Sequence, residues 1–279
     1  MLVLCYGITK SGSTLAFELI KGMLESAGHP QQRLPDEVVN PGHNVNYIQP
    51  LTQQRIDNLI SAIGDRRIAV KTHAGLPLPL FRYLEELQLG GQLQVIISWR
   101  DPRDICLSLI DAAEQARETG RKEFSRLTDL QRAANEVSSQ ILKFTRWAAL
   151  RNAVTLEYDI VAFSPDDAIE QLEGVLKIAS DRECAKQHAF EHAFTQKNKG
   201  LRQRFLTELD EEQKSSLDSR FAMFLQHMYE GDSTAWLATE REEMLRKHDI
   251  KAAGQAEHRR WRAGKRKKKR RRRERPLAA

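Results

Sequence analysis

Four short apolar runs, separated by longer stretches with helical periodicity, constrain the fold of this chain most. The runs are rich in Leu, Ile and Val and span residues 2–7, 67–70, 93–98 and 153–157. They lack the strict alternation of apolar and polar residues that marks half-exposed strands, which indicates strands covered on both faces. Strands of this kind alternating with helices predict a three-layer α/β fold, in which helices flank a central, mostly parallel sheet.

The intervening stretches repeat apolar residues every three or four positions, as helices do. A Ser-Pro pair at Ser164 and Pro165 predicts a further helix start, with the Ser side chain as cap and Pro in the first helical position. A chain of 279 residues can bury one sizeable core, so residues 1–250 are predicted to form a single domain. The predicted helices are 13–27, 53–63, 78–89, 104–117, 127–151, 211–229 and 234–248.

The net charge of +6 is concentrated at one end of the sequence. Residues 255–279 hold 13 Lys and Arg against two Glu, a net of +11, which leaves −5 for the rest. Like charges repel here and little apolar surface opposes them, so residues 251–279 are predicted to be a disordered basic tail. A run of nine basic residues could bind nucleic acid or another polyanion without reading sequence, or could be a solvated tail with no dedicated partner.

Cysteine usage and hydropathy indicate where the chain would reside. Cys5, Cys106 and Cys184 are an odd number at wide spacing, and no paired Cys/His pattern predicts a metal site. The sequence has no run of about 20 apolar residues and no apolar signal core near its first residues. These features predict a cytoplasmic protein with no membrane span.

The segment 7–19, GITKSGSTLAFEL, runs from the first strand through small residues into a helix. This arrangement aims backbone N–H groups and the positive helix end at one point, which suits a phosphate. Lys10 adds a mobile charge, and Ser11, Ser13 and Thr14 add hydroxyl groups. The alternative is a plain strand-to-helix turn capped by Ser13. Kinases and NTPases place Lys directly after the last Gly of this loop, whereas Lys10 precedes Gly12.

The same loop resembles that of the sulfotransferases that use 3′-phosphoadenosine 5′-phosphosulfate (PAPS), P-K-S-G-T-T-W. Lys10, Ser11, Gly12 and Thr14 match it, and Ser13 replaces the first Thr. Thr9 stands for the Pro, and Leu15 for the Trp that stacks near the adenine. The resemblance implies a P-loop-like nucleotide-binding fold and a 5′-phosphosulfate site formed by residues 10–15.

Two further segments follow in the order that this family has. Lys71-Thr72-His73 ends a predicted buried strand and resembles the family's K-T-H segment, which implies that His73 is the catalytic base and that Lys71 contacts the transferred sulfate. The alternative for His73 is a hydrogen-bonded structural residue. Arg100 and Ser108 stand eight residues apart, as in the family's 3′-phosphate motif. The alternative for Arg100 is an ion pair with Asp104 on a solvated turn.

Two weaker matches complete the resemblance. The segment TLEYDI implies that Tyr158 lies near the nucleotide, with a core-edge Tyr as the alternative. Asn198-Lys199-Gly200 stands where the family has R-K-G, which implies that Lys199 and Gly200 close on the 3′-phosphate, with Arg202 or Arg204 able to supply the missing Arg.

These matches imply sulfuryl transfer from PAPS to a hydroxyl or amine of a small-molecule or glycan acceptor. Lys10 would stabilise the leaving phosphate, Lys71 the sulfuryl oxygens, and His73 would take the acceptor's proton, with no metal required. Two other function classes stay open at this point. One is a P-loop-type kinase acting on a nucleotide or small molecule, and the other is a nucleic-acid-binding protein that acts through its basic tail.

Overall fold

A computed structural model describes residues 1–193, 200–231 and 233–250, and in these ranges four parallel strands form one sheet. The strands are β1 Leu2–Gly7, β2 Ile68–Thr72, β3 Leu93–Trp99 and β4 Val154–Glu157, in the order β2-β1-β3-β4. Each lies within three residues of its predicted position. The predicted α/β class with a parallel sheet is therefore confirmed.

Side chains of the strands alternate between two apolar cores, one on each face of the sheet. Leu2 and Leu4 of β1 enter the larger core, while Val3 and Cys5 enter the smaller one. All four are buried, as expected for strands covered on both sides. The larger core takes apolar side chains from helices within residues 53–148 and 211–225, and the smaller one from helices within residues 13–26 and 158–187. These cores make the three layers.

Several helix starts carry a side-chain cap. Thr52, Asp129 and Asp210 each accept a bond from a backbone N–H of the first turn. The predicted cap at Ser164 is wrong: its side chain makes no capping bond, and its carbonyl oxygen accepts from Asp167 and Ala168 instead. The helices are α1 Ser13–Ser26, α2 Gln53–Ile63, α3 Leu78–Leu89, α4 Pro102–Glu118, α5 Leu130–Ala148, α6 Tyr158–Phe163, α7 Pro165–Leu176, α8 Arg182–Gln187, α9 Phe205–Glu208, α10 Glu211–Leu225 and α11 233–250, with π-helical turns at His188–His192 and Gln226–Glu230.

The register of the sheet decides where the site lies. Tyr6 pairs with Thr72, Gly7 with Ser98, and Trp99 with Glu157. All four strands thus end at the same edge, and the segments that carry the predicted site residues leave the sheet there. In the part of the chain that the structure describes, no helix is both long and apolar enough to cross a bilayer.

Candidate active site

A cleft of about 230 Å³ lies over the carboxyl edge of the sheet. Open α/β sheets bind ligands at this edge. The segments after β1, β2, β3 and β4 all contribute to its wall. The lining residues are Thr9, Lys10, Gly12, Ser13, Thr14, Leu15, His73, Arg100, Ser108, Phe124, Tyr158, Ala162, Phe163, Phe190, Gly200 and Arg204.

Most of the predicted site residues therefore meet in one place. Ser11 and Lys71 lie behind the wall and are buried, each bonded to a segment that forms the cleft. Lys199 and the rest of 194–199 lie outside the described residues, as does the tail 251–279. Gly200 borders the cleft. The functional roles predicted for Gly200 and for the other site residues stay predictions.

The loop between β1 and α1 has an unusual backbone. Lys10 and Gly12 both have left-handed dihedrals, with φ of 70° and 73°. For Lys10 this region is sparsely populated, and such a conformation persists only where neighbouring contacts impose it. Ser11 supplies two of these contacts, because its N–H donates to the Ile8 carbonyl at 3.1 Å and its hydroxyl to the Ser98 carbonyl at 3.3 Å. The loop ends at Gly12, which takes the cap position of α1 in place of Ser13.

Gly12 also lies against the Tyr158 ring, which gives the first testable prediction. A Cβ at Gly12 would lie 2.3 Å from Tyr158 Cδ2, so Gly12→Ala must displace the ring as well as strain the backbone. Gly28→Ala is the matched control, because Gly28 has φ of 83° and no atom within 4 Å of its Cβ position. We expect Gly28→Ala to cost about 1–2 kcal/mol and Gly12→Ala measurably more. Calorimetric melting of both variants checks this, and equal losses would contradict the contact with Tyr158.

His73 and Lys71 are held on two neighbouring segments. His73 Nδ1 lies 2.9 Å from the Gly7 carbonyl oxygen, so Nδ1 must carry the proton and Nε2 has the free lone pair. Burial, then the charge of Lys71, lower the pKa of His73 to about 4. Lys71 Nζ donates to Thr14 Oγ1 at 2.6 Å, and burial lowers its pKa to about 8. Near neutral pH the imidazole is therefore neutral, with Nε2 unprotonated.

Arg100 is a largely buried residue of the cleft wall. Its guanidinium donates to Asp104 Oδ2 at 2.7 Å and to the Leu201 carbonyl at 2.8 Å, and its Cζ lies 4.3 Å from the Tyr158 ring centre. The pair with Asp104 exists, but it is buried and not on a solvated turn. Arg100 Nε is buried without a hydrogen-bond partner. An orphaned N–H on a buried cation is costly.

Lys10 and Arg100 act on each other across this cleft. Burial lowers the pKa of Lys10, Asp111 raises it, and the charge of Arg100 lowers it further. Two cations thus line one cavity, and such a pair fits a ligand with more than one negative group. Across the described ranges, His, Cys, Asp and Glu side chains form no group of three or more that could hold a metal ion.

Several lining residues carry no local signal in the sequence. Phe124 comes from the loop before α5, Phe163 from the end of α6, and Phe190 from a π-helical turn. Phe163 and Phe190 are 38% and 40% exposed, which is high for Phe. Arg204, a possible substitute for the missing Arg of the R-K-G segment, borders the cleft while pairing with Asp111 and Glu208. Tertiary packing brings these side chains together.

Comparison with known proteins identifies the architecture. The sequence matches no family model and no curated protein sequence. Mouse sulfotransferase SULT7A1 complexed with PAP superposes with a TM-score of 0.52 at 14% identity, covering 85% of this chain and 87% of that one. This chain has the sulfotransferase fold. A second structure with this fold, retinol dehydratase in complex with androsterone and the inactive cofactor PAP, superposes with a TM-score of 0.50 at 16% identity, covering 83% of this chain and 81% of that one. The fold that the loop motifs implied, that of the sulfotransferases, is thus confirmed.

Proposed function

We propose that this protein is a sulfotransferase that moves a sulfuryl group from PAPS to a hydroxyl or amine of an acceptor. One observation carries the proposal: Lys10, Arg100 and His73 line a single cleft at the carboxyl edge of the sheet. Two cationic sites on one cavity fit the two phosphorylated ends of PAPS, and a neutral imidazole beside them fits a base. The sulfotransferase fold, with its PAP-bound neighbours, supports the same donor.

The residues present fit the two ends of this donor. The small-residue loop 10–14 and the start of α1 would hold the 5′-phosphosulfate, because backbone N–H groups and the helix dipole point there. Arg100 would hold the 3′-phosphate, with Ser108 beside it, because both residues line the cleft. Phe163 and Phe190 offer partly exposed rings for the adenine, with Arg202 over the Phe163 ring, a contact that Leu15 cannot supply as an aromatic residue would.

His73 would act as general base in the transfer step. Its Nε2 lone pair would take the acceptor's proton as the acceptor oxygen or nitrogen bonds to sulfur, and the bond from sulfur to the 5′-phosphate oxygen breaks. Lys10 would neutralise the charge that grows on that phosphate, and Lys71 would stabilise the sulfuryl oxygens. Hydrogen bonding of Nδ1 to Gly7 fixes the ring for this role.

The acceptor would approach His73 from the side formed by residues 31–49, 75–83 and 117–130. The Tyr47 ring centre lies 6.1 Å from that of His73, and the His43 ring stacks on Tyr47 at 4.3 Å between ring centres. Phe124, from the third of these segments, lines the cleft. Aromatic side chains at this position fit an acceptor with apolar surface next to its reacting group. A glycan remains the alternative.

The pKa shifts give a testable pH dependence. Free enzyme is active when His73 is neutral and Lys71 charged, so kcat/KM should rise with pH through about 4 and fall through about 8. Lys71→Arg should remove the alkaline limb, because Arg stays charged. Initial rates across this range check both limbs, with circular dichroism to exclude unfolding at the acid end. An alkaline limb that is unchanged in Lys71→Arg would exclude Lys71.

The proposal as a whole is tested with radiolabelled PAPS and a panel of hydroxyl and amine acceptors. Transfer of label, together with calorimetric binding of PAP, is the expected result. Phosphoryl transfer from ATP and Mg²⁺ without any transfer from PAPS would show a kinase instead.

The domain bounds 1–250 and 251–279 stay predictions, as does the polyanion partner of the tail. Deletion of 255–279 should leave transfer to a small acceptor intact.

A further inference from the structure

We propose that Gln140 is a positioning residue for the phosphate loop: its side-chain oxygen fixes the Thr9 amide and thereby the direction in which Lys10 enters the cleft. Gln140 lies on α5, far from the loop in sequence. The Thr9 N–H donates to Gln140 Oε1 at 2.6 Å. Gln140 is only 6% exposed, so this bond is shielded from water. The inference rests on the proposed function only through the role of Lys10.

A second bond sets which end of the Gln140 amide faces the loop. Gln140 Nε2 donates to Glu136 Oε1 at 3.1 Å, one helical turn earlier. A carboxylate accepts and cannot donate, so Nε2 must point to Glu136 and Oε1 to Thr9. Glu136 in turn accepts from Arg126 at 3.2 Å, in the loop that also carries Phe124. A continuous hydrogen-bonded chain thus joins that loop to the Thr9 amide.

The helix that carries Gln140 is itself firmly held. Phe144 and Trp147 of α5 are fully buried, and Trp147 Nε1 donates to the Ala74 carbonyl at 3.0 Å, next to His73. The base segment and the Thr9 amide are therefore both tied to α5. A rigid element that contacts both sides of the site can set their separation.

Lys10 needs such a support because of its backbone conformation. Its φ of 70° is left-handed, and on the far side Ser11 is bonded to Ile8 and Ser98. Gln140 supplies a contact on the near side, at Thr9. The peptide units Ile8–Thr9 and Lys10–Ser11 are thus anchored, so the chain is held before and after Lys10, and this sets the direction in which the lysine side chain leaves the loop.

The test compares Gln140→Met with Gln131→Met, an exposed Gln on the same helix. Met keeps the length of the side chain but accepts no hydrogen bond of useful strength. We expect Gln140→Met to lower kcat about tenfold and to change the KM for PAPS less than threefold. Gln131→Met should keep the wild-type kcat and KM. In the Lys10→Ala background, Gln140→Met should lower kcat no further, because it acts through Lys10.

Amide hydrogen exchange gives a readout that needs no ligand. Exchange in residues 8–14 should be faster in Gln140→Met, while exchange in α3 and α10 stays unchanged. Unchanged exchange in residues 8–14, or the same fold loss of kcat with and without Lys10, would overturn the inference. Faster exchange in residues 8–14 of Gln140→Met, in a protein that does not bind PAP, would support the inference and contradict only the proposed function. If Gln140→Met does not fold, Glu136→Met replaces it. We expect Glu136→Met to lower kcat about threefold, and an unchanged kcat would overturn the inference.

Discussion

Replacement of His73 by Ala should lower kcat by about 10²–10⁴-fold while PAP binds about as well as to wild type. The imidazole is neutral at physiological pH, since burial and Lys71 lower its pKa to about 4, and its Nε2 is the free base. Loss of this group removes proton transfer from the reaction and leaves Lys10 and Arg100 in place. Steady-state turnover with PAPS and calorimetry with PAP measure the two quantities separately.

Two further variants sharpen this experiment. His73→Gln keeps an N–H that can reach the Gly7 carbonyl but has no basic nitrogen, so its kcat should be as low as that of His73→Ala. His248→Ala is the matched control: His248 is a half-buried imidazole on α11 that contacts Asp249 and does not line the cleft, so its loss should change kcat less than about threefold. Turnover in His73→Ala within a factor of five of wild type would remove His73 from the mechanism.

The fold was readable from the sequence because its strands are buried on both faces. An apolar run as short as that of β1, bounded by turn residues, favours a buried strand over a helix, whereas strand order depends on contacts between distant segments. Boundaries were harder to place where a side chain near a strand end is polar. β2 continues through Lys71 and Thr72, and both are buried because Lys71 bonds to Thr14 and Thr72 to the Ile48 carbonyl. A polar residue with a buried partner looks like a loop residue in sequence.

The site was predictable where spacing along one strand and helix fixes geometry, and unpredictable where it does not. Arg100 and Ser108 lie on one β3–α4 unit, so their meeting in the cleft follows from local structure. Gln140 and Phe190 reach the loop and the cleft from elements that are remote in sequence, and a lone Gln or Phe on a helix carries no signal. The ion pair of Arg100 with Asp104 is an i,i+4 contact that the sequence can suggest. Its burial depends on remote residues, because Arg100 donates to the Leu201 carbonyl and Asp104 accepts from the Phe205 N–H at the start of α9.

Loss of the Arg100 guanidinium should weaken PAP binding about 10- to 100-fold, because charge-assisted hydrogen bonds of about 1.5–3 kcal/mol are removed. Arg100→Met alone would leave the Asp104 carboxylate buried and unpaired, which costs about 3–5 kcal/mol of stability. The informative protein is therefore the double variant Arg100→Met with Asp104→Asn. Asp104→Asn alone is its control, since Asn keeps an oxygen for the Phe205 N–H.

Comparison of PAP with AMP, which lacks the 3′-phosphate, isolates the contact from any general loss of the cleft. Asp104→Asn should bind PAP about 10- to 100-fold more tightly than AMP, and the double variant should bind the two nucleotides equally. AMP affinity itself should be the same in both proteins, since Lys10 and the loop are untouched. If the double variant still prefers PAP as strongly as Asp104→Asn does, a group other than Arg100 binds the 3′-phosphate.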